Sequence, residues 1–198
     1  MSSRFVVALL ALLAMPVWAQ GPSFSYAEAS LALYPNFESE PLLGAQARGS
    51  QTLTTEWFMF GGLKVLTGDI DVTAAHGGGG YRYSVDHRTD VWGGLTAEYQ
   101  EIERDRCNDE LRPGQGFVTL CSSVSQDDTA PGLRAGIRRQ LHRDLAIGVS
   151  ARYITGDLDY LGFTGTARYR WQRNVSVLAE ADYYDGNFGV IGGLSLHF

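Results

Sequence analysis

The sequence lacks the long apolar run that a membrane-spanning helix requires. Its 198 residues include only one lysine, two cysteines and six prolines, and the net charge is −6. A transmembrane helix needs about 20 consecutive apolar residues, and beyond the N-terminus no stretch approaches that length. The acidic balance excludes the basic surface that nucleic-acid-binding proteins present. We therefore expect neither membrane helices nor a nucleic-acid partner.

The N-terminus has the features of a secretory signal peptide. Arg4 supplies a positive charge, residues 5–15 form an apolar run of 11 residues, and Pro16 interrupts that run. Val17-Trp18-Ala19 then offers a small-residue cleavage site. We predict that residues 1–19 are removed on export and that residues 20–198 form one domain. A signal anchor is the alternative interpretation.

The two cysteines, Cys107 and Cys121, lie in one polar segment. Export places them in an oxidising compartment, which favours a disulfide between them. The bridge would close a loop of about 15 residues and stabilise the chain by about 3 kcal/mol in the chain-entropy model. A zinc site would need more ligands than two thiols, and no histidine lies nearby. We predict a disulfide and no metal site.

Glycine and aromatic residues are abundant, with 24 glycines and 12% aromatics, a composition that suits strands and tight turns. The last 25 residues show the pattern most clearly, because apolar and polar residues alternate on both sides of Asp185-Gly186-Asn187. One face of this hairpin is apolar, whereas the other carries Glu180 and Asp182. Such period-two alternation predicts antiparallel strands.

The same alternation predicts ten strands, an even number that would place both termini on one side of a membrane. The predicted strands lie within residues 24–34, 54–66, 70–75, 81–85, 90–102, 133–138, 145–153, 161–170, 175–184 and 188–198. Residues 35–52 and 103–128 are predicted to be long loops, and residues 76–80, a histidine and four glycines, a hairpin tip. Assigning the second and third strands to the first loop gives the alternative of eight.

Charged residues in the predicted strands share one face, whereas the other face carries essentially none. The charged set contains six acids and seven bases: Glu28, Glu56, Lys64, Asp71, Arg82, Glu98, Arg134, Arg138, Arg152, Arg168, Arg170, Glu180 and Asp182. An arginine on a lipid-facing surface costs about 2–4 kcal/mol near the midplane, and a soluble protein has no comparable constraint. We predict an all-β, up-and-down antiparallel transmembrane β-barrel with short periplasmic turns, longer external loops and a lumen of paired charges.

The signal peptide, the alternating strands and the terminal Leu194-x-Leu196-x-Phe198 together resemble small Gram-negative outer-membrane barrel proteins of the OmpA/OmpX and opacity type. The resemblance implies a location in the outer membrane, in contact with its lipids and lipopolysaccharide. It also implies that Leu194, Leu196 and Phe198 form the signal that the barrel-assembly machinery reads. We expect a monomer.

No arrangement of residues in the sequence predicts catalysis or cofactor binding. The His-x-Ser pair of lipid A deacylases is missing, and His76, predicted at an external tip, is the best remaining candidate for acid–base chemistry. We therefore predict a non-enzymatic protein without a cofactor, with a structural, adhesion or surface-interaction role and a possible ligand of its external loops. A small solute pore is the first alternative, and a lipid A-modifying barrel enzyme is the second.

Overall fold

The ten strands of the chain form one closed antiparallel β-barrel. The computed structural model describes residues 24–37, 40–112, 116–157 and 159–198, so the predicted signal peptide lies outside it. Each strand pairs with its neighbours along the chain, and the first pairs with the last. This architecture confirms the predicted up-and-down barrel. The strands are β1 Tyr26–Phe37, β2 Glu40–Thr52, β3 Trp57–Thr67, β4 Ile70–Asp86, β5 Thr89–Arg112, β6 Gly116–His142, β7 Leu145–Ile154, β8 Tyr160–Gln172, β9 Val175–Tyr184 and β10 Asn187–His197.

The barrel closes between β1 and β10. Their register runs from Tyr26 opposite His197 to Leu33 opposite Val190. Closure leaves no free sheet edge within the barrel itself, which matters in lipid because an unpaired backbone N–H or C=O finds no water there. The two ends of the described chain also meet, since the Phe198 N–H donates to the Ser25 carbonyl at 3.3 Å. We call this end of the barrel the terminal end.

The opposite end, which we call the hairpin end, carries the longest projection. β5 pairs with β4 as far as Arg104, and β6 pairs with β7 only from Gly132 onward. Beyond these points β5 and β6 pair with each other, up to Arg112 opposite Gly116. In the segment predicted to be a loop, residues 103–112 and 116–128 therefore form a regular ladder, and we call its part beyond Arg104 the hairpin extension.

Residues 40–52 form strand β2, where the sequence predicted a loop. The strand pairs with β1 on one side and with β3 on the other. Apart from Leu43, its outward face carries small side chains such as Ala45 and Ala47 instead of the large apolar residues of other strands. The loop prediction is wrong because ladder hydrogen bonds to two neighbours hold this strand in place, whatever the size of its outward side chains.

Residues 70–86 form the single strand β4, where the sequence predicted two strands joined by a glycine tip. The four glycines continue the ladder, and Gly78 lies opposite Phe60 on β3. The two that face inward, Gly78 and Gly80, leave room inside the barrel, since a Cβ atom on Gly80 would lie 2.6 Å from Cζ of Phe58. The predicted number of strands is right because the missed β2 offsets the division of β4.

The hairpin of β9 and β10 turns through two residues, Asp185 and Gly186. Both have left-handed backbone conformations, with φ of 48° and 78°. Two central residues with positive φ give the type I′ kind of turn, whose twist matches that of the adjoining strands. Asn187, predicted to belong to the turn, is instead the first residue of β10.

The backbone register places Cys107 directly opposite Cys121 in the hairpin extension. The side chains of residues 105–123 lie outside the described part of the structure, so the disulfide stays a prediction. Directly opposed residues of an antiparallel ladder have Cα atoms about 4.5–5.5 Å apart. Disulfides span Cα separations of about 4.4–6.8 Å, so this register allows the bridge.

We expect the Cys107–Cys121 bridge to protect the hairpin extension without supporting the barrel. The extension has no strand partner outside itself, so opening the bridge raises only its own conformational freedom. The double variant C107S/C121S should be cleaved by protease within residues 105–123 several-fold faster than the native chain, as followed by mass spectrometry of the fragments. Its heat-dependent gel shift should be unchanged. Equal cleavage rates would show that no bridge restrains this segment.

Candidate functional site

The outer surface of the barrel is apolar between its two ends. Leu31, Leu95 and Leu133 expose 68%, 68% and 56% of their areas on this surface. A soluble protein rarely leaves so large a continuous apolar surface in contact with water, because its burial would be strongly favourable. The structure therefore requires an apolar medium around the middle of the barrel.

Aromatic side chains form two bands on this outer surface. The band near the terminal end contains Trp57, Tyr81, Tyr83, Tyr169 and Trp171, and the band near the hairpin end contains Tyr153, Phe163, Tyr183 and Phe188. Tryptophan and tyrosine favour membrane–water interfaces, because their rings are apolar and their N–H or O–H groups are polar. None of the described outward residues between the bands carries a charge. These are the outer features of a barrel that spans a bilayer.

The protein is a transmembrane β-barrel.

Arg48 is the centre of the largest ion-pair cluster inside this transmembrane barrel. Its Nη2 atom lies 3.0 Å from Glu28 Oε2 and 2.7 Å from Glu180 Oε2, and its Nη1 atom donates to Glu180 Oε1 at 3.1 Å. Arg168 donates from Nε to the other Glu28 oxygen at 2.7 Å. The two glutamate side chains are almost fully buried, with 1% and 3% exposure. The cluster thus joins β1, β2, β8 and β9 across the lumen.

A second cluster surrounds Asp182, nearer the hairpin end. The Arg152 guanidinium binds both oxygens of this carboxylate, at 2.8 and 3.0 Å. Tyr34 donates its hydroxyl to Asp182 Oδ2 at 2.7 Å, and Lys64 Nζ donates to the Tyr34 oxygen at 3.2 Å. The same ammonium lies 4.7 Å from the ring centre of Tyr184. The single lysine is therefore held by a phenol oxygen and aromatic rings.

A third cluster pairs Arg134 with Glu98. Nε and Nη2 of Arg134 donate to the two carboxylate oxygens at 2.9 and 2.8 Å, and Thr96 donates its hydroxyl to Glu98 at 2.6 Å. Two parallel N–H···O bonds require the planar fork of arginine, which lysine does not have. This geometry gives a physical reason why the cations of the lumen are almost all arginines.

Apolar side chains close the lumen at the hairpin end. The buried cluster there consists of Ala32, Tyr34, Phe37, Leu42, Leu66, Val72, Tyr184 and Ile191. Three of its rings pack edge-on or tilted, with Tyr34 6.2 Å from Phe37 and 5.8 Å from Tyr184 between ring centres. Aromatic pairs in such geometries add to the stability of a packed layer. This layer separates the charged clusters from the hairpin end.

Aromatic rings and arginines close the terminal end in the same way. Phe24 lies 4.8 Å from Phe58 between ring centres, and Phe58 lies 6.0 Å from Trp92. The guanidinium carbons of Arg138 and Arg82 lie 4.5 and 5.1 Å from the Phe24 ring centre, within cation–π distance. The charged clusters are therefore covered by an aromatic layer on one side and an apolar layer on the other.

The structure brings most of the predicted lumen charges together. Those inside the barrel are Glu28, Lys64, Glu98, Arg134, Arg138, Arg152, Arg168, Glu180 and Asp182, and Arg82 is half-buried at the terminal end. Three lie elsewhere. Glu56 is exposed in the connection from β2 to β3, and Arg170 is exposed near the terminal end of β8. Asp71 points outward near the hairpin end, because β4 is one strand whose odd-numbered residues face out.

Three interior residues were not predicted to lie in the lumen. Arg48 was missed because β2 was assigned to a loop, although Gln46, Arg48 and Ser50 alternate with small apolar neighbours. Asp90 is 2% exposed and accepts a hydrogen bond from Ser84. His76, predicted at an external tip, lies inside the barrel with its ring centre 6.3 Å from that of Phe60.

One pair in the lumen has the residue types of nucleophilic catalysis. The hydroxyl oxygen of Ser176 and Nε2 of His197 lie 3.1 Å apart at the terminal end. Such enzymes also need a third group that orients the histidine and a path for the substrate. Nδ1 of His197 has no hydrogen-bond partner in the described part of the chain, and Ser176 is 4% exposed. We assign this pair no catalytic role.

The described residues include no cluster of three metal-ligating side chains.

No protein-family model and no curated protein matches this sequence. Among solved structures, a KdgM porin has 13% identity and a TM-score of 0.49, over 87% of this chain and 99% of that chain. A NanC porin has 8% identity and a TM-score of 0.49, over 88% and 100%. Ail, the attachment invasion locus protein of Yersinia pestis, has 13% identity and a TM-score of 0.44, over 87% and 99%. These similarities concern barrel architecture and transfer no residue role.

Proposed function

We propose that the protein is an outer-membrane β-barrel with a structural, adhesion or surface-interaction role and without catalytic activity. The observation that carries this proposal is the lumen, where paired charges lie between two layers of packed apolar and aromatic side chains. A solute conduit needs a continuous wet path, whereas ion pairs and packed rings occupy most of this interior and leave only small cavities. We infer that the lumen stabilises the barrel and does not conduct solutes.

The C-terminal strand supports a location in the outer membrane. Leu194 and Leu196 expose 48% and 53% of their areas on the outer surface at the terminal end, and Phe198 follows them. An accessible alternating apolar motif in this place suits the role of an assembly signal. The predicted signal peptide and the aromatic bands support the same location.

The hairpin end supports the interaction role, because it presents the polar groups that solvent can reach. The described side chains of this end include one arginine, Arg104, and many carboxylates: Asp69, Asp71, Glu101, Glu103, Asp127, Asp128, Asp157, Asp159 and Asp185. At the terminal end the described chain has connections such as Arg143-Asp144 and Arg173-Asn174 and no projection comparable to the hairpin extension. A charged surface steers the association of oppositely charged partners, so this acidic end favours basic ones.

Planar-bilayer recording tests the closed lumen. We expect the native barrel to give no discrete conductance steps, because both end layers block a continuous path. A porin measured in the same bilayers serves as the positive control, and a heat-dependent gel shift of the same preparation shows that the barrel is folded. Steps from the native barrel would overturn the proposal and favour the pore.

A further inference from the structure

A cavity of about 110 Å³ lies inside the lumen, among the charged clusters. The charged side chains of its lining are all cationic, Arg48, Arg134, Arg138, Arg152 and Arg168, and His76 lies beside them. The carboxylates that pair with these arginines lie outside this lining. The cavity therefore presents almost purely positive charge to whatever fills it.

The described interior charges do not balance. Six cations, the five cavity arginines and Lys64, face four carboxylates, Glu28, Glu98, Glu180 and Asp182. At the terminal end Arg82 and Asp90 add one charge of each sign. An excess of two positive charges thus remains inside a wall whose outer surface faces lipid. Charge buried in this way is costly unless an opposite charge compensates it.

Unused hydrogen-bond donors lie in the same region. Nε of Arg48 is buried and has no partner among the described residues, although both Nη atoms of this arginine bind carboxylates. The amide nitrogen of Gln46 is also buried without a described partner. Gln46 lines a second cavity of about 60 Å³, which shares Arg48 and His76 with the first. Unpaired buried donors call for an acceptor.

We propose that this arginine-lined cavity binds one small oxyanion with the charge and shape of phosphate or sulfate. Arginine forks bind such oxygens through parallel N–H···O bonds, and the Thr164 and Thr166 side chains add polar groups to the lining. A dianion would neutralise the excess charge of the lumen. The volume admits a few waters or one small ion. The ligand is a free ion, since a lipid headgroup would bring its acyl chains into the lumen.

The site is independent of the proposed role of the hairpin end and of the conductance result. Its binding would be slow to reverse, because apolar and aromatic layers cover the charged clusters on both sides. The anion should therefore enter during folding and remain trapped afterwards. The ion must therefore be present while the barrel folds.

Folding in the presence of radiolabelled inorganic phosphate, followed by gel filtration in detergent, tests the site. We expect the native barrel to retain one phosphate per chain. The variant Q46E places a carboxylate near the arginines without a change of shape, and R138Q removes one cation from the lining of the cavity. Repulsion by the new carboxylate in Q46E and loss of an arginine of the lining in R138Q should each reduce retention by about tenfold or more. R104Q, which changes an arginine at the hairpin end, is the matched control and should retain as much phosphate as the native chain.

Two results would overturn the proposal. The first is a folded native barrel that retains no label, which would mean that water alone fills the cavity. The second is equal retention by native, Q46E and R104Q barrels, which would place the phosphate elsewhere. Glutamate has nearly the same shape as glutamine, so Q46E should fold like the native chain. The comparison therefore remains possible even if R138Q fails to fold.

Discussion

Replacement of Arg48 by methionine is expected to lower the free energy of unfolding by about 3–5 kcal/mol. Arg48 is the only described cation that contacts Glu180, and it shares Glu28 with Arg168. Methionine keeps much of the side-chain volume, so the loss would come mainly from the charge. It would leave the Glu180 side chain, at 3% exposure, without its ion-pair partner. Urea unfolding of the folded barrel in lipid vesicles, followed by tryptophan fluorescence, measures the effect.

Two further variants show whether the loss comes from the buried ion pair. R173M changes an exposed arginine in the connection between β8 and β9 and should shift the free energy by no more than about 0.5 kcal/mol. R48M/E180Q removes both partners and should regain part of the stability that R48M loses, because a neutral amide is easier to bury than a lone carboxylate. An R48M barrel as stable as the native one would contradict a structural role for this cluster.

Alanine at Gly78 is expected to destabilise the barrel by about 3 kcal/mol, at the upper end of the range for overpacking. A Cβ atom there would lie 2.1 Å from the carbonyl oxygen of Leu95 and 2.9 Å from the Thr96 Cα, so backbone would have to move. At the neighbouring Gly77, a Cβ atom would meet nothing within 4 Å, because this residue faces outward. Alanine at Gly77 is therefore the matched control.

The same urea unfolding compares the two alanine variants. Gly77→Ala should match the native barrel or be slightly more stable, since alanine restricts the unfolded chain more than glycine does. Gly78→Ala should unfold at lower urea and lose its heat-dependent gel shift at lower temperature. Equal stabilities of the two variants would mean that the glycine run is a flexible tip, as the sequence alone suggested, and not a closely packed part of β4.

The sequence predicts the barrel well where large side chains alternate. The faces of β9 and β10 follow from Val177, Glu180 and Leu194, because lipid and lumen impose opposite requirements on successive residues. The same alternation places Trp92 inside the barrel, where a glycine of the neighbouring strand makes room for it. A Cβ atom on Gly136 would lie 2.9 Å from the Nε1 atom of Trp92.

The ion-pair partners could not be predicted from alternation. Alternation of apolar and polar residues predicts that Glu180 faces the lumen, but it does not predict which cation lies near Glu180. The identity of the partner depends on the stagger of all ten strands. Arg48 and Glu180 are 132 residues apart in the sequence. Because the outward residues of β2 are mostly small and β4 contains four consecutive glycines, neither segment was predicted to be one strand. Arg48 and His76, which lie on these strands, were therefore not predicted to face the lumen.

The pairing of β1 with β10 sets the order in which the barrel can be completed. Of the described strands β1 is synthesised first, and it finds its second neighbour only when β10 has been made. Until then both strands have an open edge that could pair with another chain. Contacts between such distant parts of a sequence also form slowly. The unfinished barrel would therefore have to be kept apart from other unfolded chains until β10 is in place.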